Sequence, residues 1–94
     1  MTTFPKFRFK ARLVRAAGLP SVPYAKALRV LWDEVEPVEK MERTFSRKVM
    51  QYLERNGYIV RHNGLYVLTA LGVKTLYACG FPPTVKIPKT EGRP

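Results

Sequence analysis

The side chains with chemistry to offer here are cations, hydroxyls and amides. They gather between Thr44 and Asn56, where Thr44, Ser46, Arg47, Lys48, Gln51 and Arg55 occur within one stretch. Phe45, Val49, Met50 and Leu53 recur at spacings of three and four, which places them on one face of a helix. Subtracting that face leaves Arg47, Lys48, Gln51, Glu54 and Arg55 pointing outward. An arginine can bridge O6 and N7 of guanine, and a glutamine can bridge N6 and N7 of adenine. Lys48 and Arg55 suit phosphates, and Thr44 and Ser46 at the helix start suit a phosphate through hydroxyl and backbone N–H groups. Glu54 would face away from a nucleic-acid backbone. A solvated polar face is the plainer alternative, since any surface helix has one.

Cations recur elsewhere. The 94 residues hold seventeen Lys and Arg against seven Asp and Glu, a net charge of +10. Residues 1–32 carry seven basic side chains and no acid, 33–56 are nearly balanced, and 57–94 carry five basic side chains and one acid. A surface of that sign attracts polyanions, and nucleic acid is the commonest. Arg8, Lys10, Arg12 and Arg15 form an N-terminal basic run. Its alternation with Phe7, Phe9, Ala11 and Leu13 reads as a strand, but its helix-forming composition and the Gly18–Pro20 stop favour a helix from about Phe7 to Ala17. In that helix Phe7, Phe9 and Leu13 would pack inward. Arg61, His62 and Asn63 form a further small polar cluster.

Catalytic chemistry is not visible. His62 and Cys79 are the sole residues of their types and lie far apart, so they offer no metal cluster, and no cofactor is expected. There is no glycine-rich phosphate loop and no nucleophile elbow. Carboxylates cluster only at Glu34, Glu36, Glu39 and Glu42, without a partner base. That patch reads as ordinary solvation and helix pairing, or as a docking site for a protein partner. A single cysteine forms no intrachain disulfide, which fits a reducing interior. No run approaches the ~20 apolar residues that span a bilayer, and no secretory signal is evident. The expectation is a cytoplasmic protein, or a nuclear one in a host with a nucleus.

Several elements must position these residues. The 45–56 helix stops at Asn56-Gly57. Tyr58-Ile59-Val60-Arg61 and Leu65-Tyr66-Val67-Leu68 flank His62-Asn63-Gly64, a hairpin pattern in which Asn-Gly supplies a type I′ turn. Thr69 can cap a last helix from Ala70 to Ala78, with Gly80 beyond it. Upstream, Tyr24, Ala27, Leu28, Leu31, Trp32 and Val35 mark an amphipathic helix from Pro23 to about Glu36, blocked by Pro37, with Arg29 and Asp33 spaced for an ion pair. Val38 to Arg43 makes a brief helix, with Arg43 and Thr44 as the turn. Phe81 to Pro94 holds four prolines and no periodicity, and reads as an extended tail.

Helix, tight hairpin, helix resembles the second half of a winged helix-turn-helix. In the bacterial and archaeal regulators of that superfamily a recognition helix runs into L-E-x-x-G-hydrophobic-I, then a wing, then Y-x-L-T-x-x-G. Leu53, Glu54, Gly57, Tyr58 and Ile59 match the first pattern, and Tyr66, Leu68, Thr69 and Gly72 the second. The resemblance implies a mainly α chain with a small β-hairpin, an α+β fold. A basic segment would occupy residues 1–20, a winged helix 21–80, and a Pro-rich basic tail 81–94. It further implies double-stranded DNA as partner, with the 45–56 helix in the major groove and a role in transcription regulation. Family wings often carry a longer basic loop, so for Arg61, His62 and Asn63 one or two phosphate contacts are expected rather than base reading. A homodimer would supply paired half-sites, with its interface on the terminal helices. The alternatives are a winged helix that binds proteins of transcription or replication, and a non-specific nucleic-acid or RNA binder.

Overall fold

A computed structural model describes residues 8–81. The stretches 1–7 and 82–94, which contain the start of the expected N-terminal helix and most of the expected tail, lie outside the described residues. Five helices and three short strands follow in order: α1 (Ala11–Ala16), α2 (Val22–Asp33), β1 (Glu36–Pro37), α3 (Val38–Phe45), α4 (Arg47–Arg55), β2 (Ile59–His62), β3 (Leu65–Leu68) and α5 (Ala70–Ala78). This is a small α+β domain with a winged-helix-like layout.

The sheet is antiparallel in the order β1-β3-β2. Val60 faces Val67 and Arg61 faces Tyr66 across the hairpin, while Glu36 pairs with Tyr66 on the other side of β3. Asn63 and Gly64 both take positive φ, 52° and 77°, as the two central residues of a type I′ turn must. The third strand was not expected. α2 ends at Asp33 rather than near Glu36, so Val35 is exposed instead of joining the core, and Glu36–Pro37 turns into the sheet. Pro37 is tolerated there because β1 is an edge strand, where a missing N–H breaks no ladder.

α1 starts at Ala11, later than the composition suggests, and turns its Val14 inward while Leu13 stays 40% exposed. Helix, not strand, is the outcome over 11–16. Phe9 precedes the helix and is partly buried against the core. α2 buries Tyr24, Ala25, Ala27, Leu28 and Leu31, and these meet Met41 of α3, Met50 and Leu53 of α4, Ile59 and Tyr66 of the hairpin, and Leu76 of α5. Trp32, on the apolar face that the spacing marks, is only partly buried; its ring stands edge-on to Phe81 at 5.2 Å. Phe81 is 1% exposed, so the first residue of the expected tail is a core residue.

The α4 and α5 helices close alike. Tyr58 N–H reaches back to Leu53 O and Gly57 N–H to Glu54 O; Phe81 N–H reaches Leu76 O and Gly80 N–H reaches Tyr77 O. Each is the paired bond of a Schellman motif, which satisfies carbonyls left over at the helix end and needs a left-handed residue that glycine supplies without strain. Gly72 answers a different demand. A Cβ there would stand 2.2 Å from the Tyr58 carbonyl oxygen and 2.7 Å from a Leu68 methyl, so α5 lies on the hairpin closer than any side chain permits. Thr69 locks that approach. Its hydroxyl accepts from Gly72 N–H at 3.0 Å and lies 2.7 Å and 2.9 Å from the carbonyls of Gly57 and Tyr58.

Candidate nucleic-acid interface

The helix expected to carry recognition begins later than its apolar periodicity suggests. Phe45 ends α3 and a single residue, Ser46, separates the two helices. Thr44 therefore sits inside α3, where its hydroxyl donates to Lys40 O at 2.9 Å, and it does not stand at the start of α4. Arg43 is likewise helical. Ser46 performs the capping role, its Oγ accepting from Val49 N–H at 3.3 Å. The corner has a conformational cost: Ser46 holds φ 83° and ψ 152°, a region that residues with a Cβ rarely adopt.

Beyond the corner, α4 buries Val49, Met50 and Leu53 and exposes Arg47, Lys48, Gln51 and Arg55. The spacing thus delivers the expected polar face. An open groove of about 470 Å³ runs along it, lined by these four side chains and by Tyr24 and Tyr52. The two tyrosines meet edge to face at 5.1 Å, and the Tyr52 hydroxyl donates to Gly18 O at 3.4 Å. Tyr24 belongs to the apolar face that the α2 spacing marks, and Tyr52 is not among the site residues the sequence suggests. The signal was present: Tyr52 lies four residues after Lys48 and three before Arg55, on the cationic stripe itself.

One carboxylate reaches Arg47. Its Nε lies 3.9 Å from Glu42 Oε1, but the Arg47 side chain keeps 75% of its exposure, so the contact leaves the guanidinium accessible. Glu42 is anchored from the other side by the Tyr66 hydroxyl, which donates to Oε2 at 3.4 Å. Burial pushes the Tyr66 phenol above its ordinary range.

The wing departs from expectation. Arg61 is drawn back from the tip: it donates to Glu54 Oε1 at 3.0 Å and to the Tyr66 hydroxyl at 3.3 Å, with its guanidinium 5.5 Å from the Tyr66 ring centre. The hydrogen bond to Glu54 holds the Arg61 guanidinium even more firmly protonated. Glu54 is therefore a strut between α4 and β2. His62 and Asn63 remain exposed at the tip, their side-chain nitrogens 3.3 Å apart.

Arg8, Lys10, Arg12 and Arg15 are all exposed, and none lines the α4 groove. The four glutamates are not equally open to solvent. Glu36 is 9% exposed and pairs with Lys40 at 3.0 Å, Glu42 is partly buried, and Glu34 and Glu39 face solvent. Cys79 is buried, which pushes its thiol up and away from reactivity. Among the described residues no group of three or more His, Cys, Asp or Glu could hold a metal ion, and no helix is long and apolar enough to cross a membrane. No protein-family model, curated protein or solved structure matches the chain.

Proposed function

We propose that the chain is a winged helix-turn-helix protein that binds double-stranded DNA, with α4 in the major groove, and that it acts as a transcriptional regulator. The observation that carries the reading is the outward face of α4. Arg47, Lys48, Gln51 and Arg55 converge on one open groove, close to a capped helix start, in a chain of net charge +10. Arg47 and Gln51 read base edges, and Lys48, Arg55 and the free N–H groups of the α4 start beside Ser46 hold phosphates. Arg8, Lys10, Arg12 and Arg15 add backbone contacts. The wing contributes little, since Arg61 is held by Glu54 and the turn is two residues long. The setting is a reducing interior, the cytoplasm or a nucleus, and a second copy of the chain would double the site length that one short helix reads.

The short wing favours one rival: a winged helix whose primary partner is a protein of transcription or replication. A single experiment separates the two. The protein is titrated with random duplexes at several salt concentrations and the bound fraction is sequenced. A protein that makes ~6 to 10 phosphate contacts loses ~10³ to 10⁵ in affinity between ~50 and ~200 mM salt. An enriched motif with that slope is the expected result. Binding without a motif would reduce the function to non-specific nucleic-acid contact, and absence of binding at physiological salt would refute the DNA reading.

A further inference from the structure

A second groove lies away from the α4 face. It is larger, about 760 Å³, and shares no lining residue with the first. Its floor is apolar: Phe9, Val22, Val30 and Phe45 line it, each partly buried. Arg8, Lys26 and Arg29 flank that floor, with Asp33 as the one acidic side chain. Val22, Lys26, Arg29, Val30 and Asp33 fall on successive turns of one side of α2, opposite the side that buries Tyr24, Leu28 and Leu31. At 1.5 Å per residue the row extends about 16 Å along the helix, the span of roughly five extended residues.

We propose that this groove docks an acidic peptide segment of a partner protein, with aliphatic or aromatic side chains set between its carboxylates. Charge and shape select that occupant together. Three cations against one carboxylate repel a basic segment and favour an acidic one. A duplex backbone would satisfy the rim, but its bases are stacked inside the helix and leave the four apolar residues uncovered, whereas an amphipathic peptide fills the floor and pairs with the rim at once. The groove also suits an elongated ligand, because its long side is a helix face. The site goes beyond the DNA reading: it gives the domain a second surface, through which an acidic partner can be held while α4 remains open.

The test uses the full chain and a fluorescein-labelled synthetic peptide built from glutamate, aspartate, leucine and phenylalanine, read by anisotropy and by amide chemical shifts. Binding is expected, with shift changes confined to residues 8–10, the Val22–Asp33 helix and the neighbourhood of Phe45. A control peptide with its apolar residues replaced by serine should bind at least about tenfold more weakly. Lys26→Glu should lower affinity by about tenfold, and so should Val30→Ser. The serine variant changes no charge, so its duplex-DNA affinity should stay within about twofold of the parent, which also reports that it folds. No peptide binding, equal binding of the serine control, or shift changes centred on α4 would each overturn the proposal. The peptide titration reads the same whether or not the chain binds DNA, so a failure of one reading is not a failure of the other.

Discussion

Replacing Gly72 by alanine sets two effects of opposite sign against each other. Gly72 lies inside α5, and in an ordinary helix interior the change to alanine stabilises by about 0.8–1 kcal/mol. Here the added methyl would meet the Tyr58 carbonyl oxygen at 2.2 Å and a Leu68 methyl at 2.7 Å. The Leu68 methyl can swing aside; the Tyr58 carbonyl cannot, because it accepts from the Thr69 N–H at 3.1 Å and lies 2.9 Å from the Thr69 hydroxyl. Relief therefore requires α5 to retreat by roughly 1 Å, enough to loosen Leu76 and Thr75 from the core. Overpacking of this kind costs about 1–3 kcal/mol, occasionally more, and a backbone contact belongs at the upper end. After the helix-propensity gain, Gly72→Ala should destabilise by about 1–2 kcal/mol. For a domain of this size that is a fall in melting temperature of roughly 5–15 °C. Thermal and urea unfolding followed by circular dichroism measure both numbers. A variant more stable than the parent would show that α5 does not approach the hairpin this closely, and the reasoning would fail at its first step.

Three further outcomes are expected. Ser46→Gly should raise stability by about 1 kcal/mol, because relief of the positive φ outweighs the few tenths lost with the cap; a lower urea midpoint would refute the strain argument. Arg47→Ala and Gln51→Ala should each flatten the preference at one base position, by about 1–3 kcal/mol of discrimination, whereas Lys48→Ala should weaken binding to all sequences and reduce the salt slope by about 1; selection on random duplexes distinguishes them, and an unchanged motif for Arg47→Ala would remove α4 as the reading element. Burial raises the Tyr66 phenol above its ordinary 10.0. A raised folded value means the native state holds its proton longer than the unfolded chain, so this contribution is intact below pH 10.0 and is lost as the pH rises through the folded value. Urea midpoints of the parent should therefore fall above about pH 10, and those of Tyr66→Phe should fall less steeply over the same window.

Much of the architecture was legible because its boundaries rest on residues with few alternatives. Asn63-Gly64 admits a type I′ turn and little else, Gly57 and Gly80 end helices, and Thr69 announces the last one. Where two elements share a hydrophobic period, the sequence blurs them. Phe45 continues the spacing of Val49, Met50 and Leu53, so nothing in that pattern reveals that it closes one helix and that Ser46, without being glycine, turns the corner alone. β1 left no trace because Glu36 and Pro37 are poor strand formers and two residues make no alternation; the pairing is imposed by β3. Phe81 was hidden by the prolines behind it. The cationic face of α4 was readable from spacing, but the withdrawal of Arg61 was not: it depends on Glu54 and Tyr66 arriving beside it from different elements, a tertiary fact that no local pattern encodes.

The Phe9–Phe81 contact has a mechanical consequence. These rings, from the two ends of the described chain, stand 6.1 Å apart, and Trp32 also meets Phe81, edge-on at 5.2 Å. Tension applied at the two ends would therefore load one small aromatic clasp first, peeling it open one ring at a time. A tethered molecule should yield first at its ends, which makes the clasp a fuse.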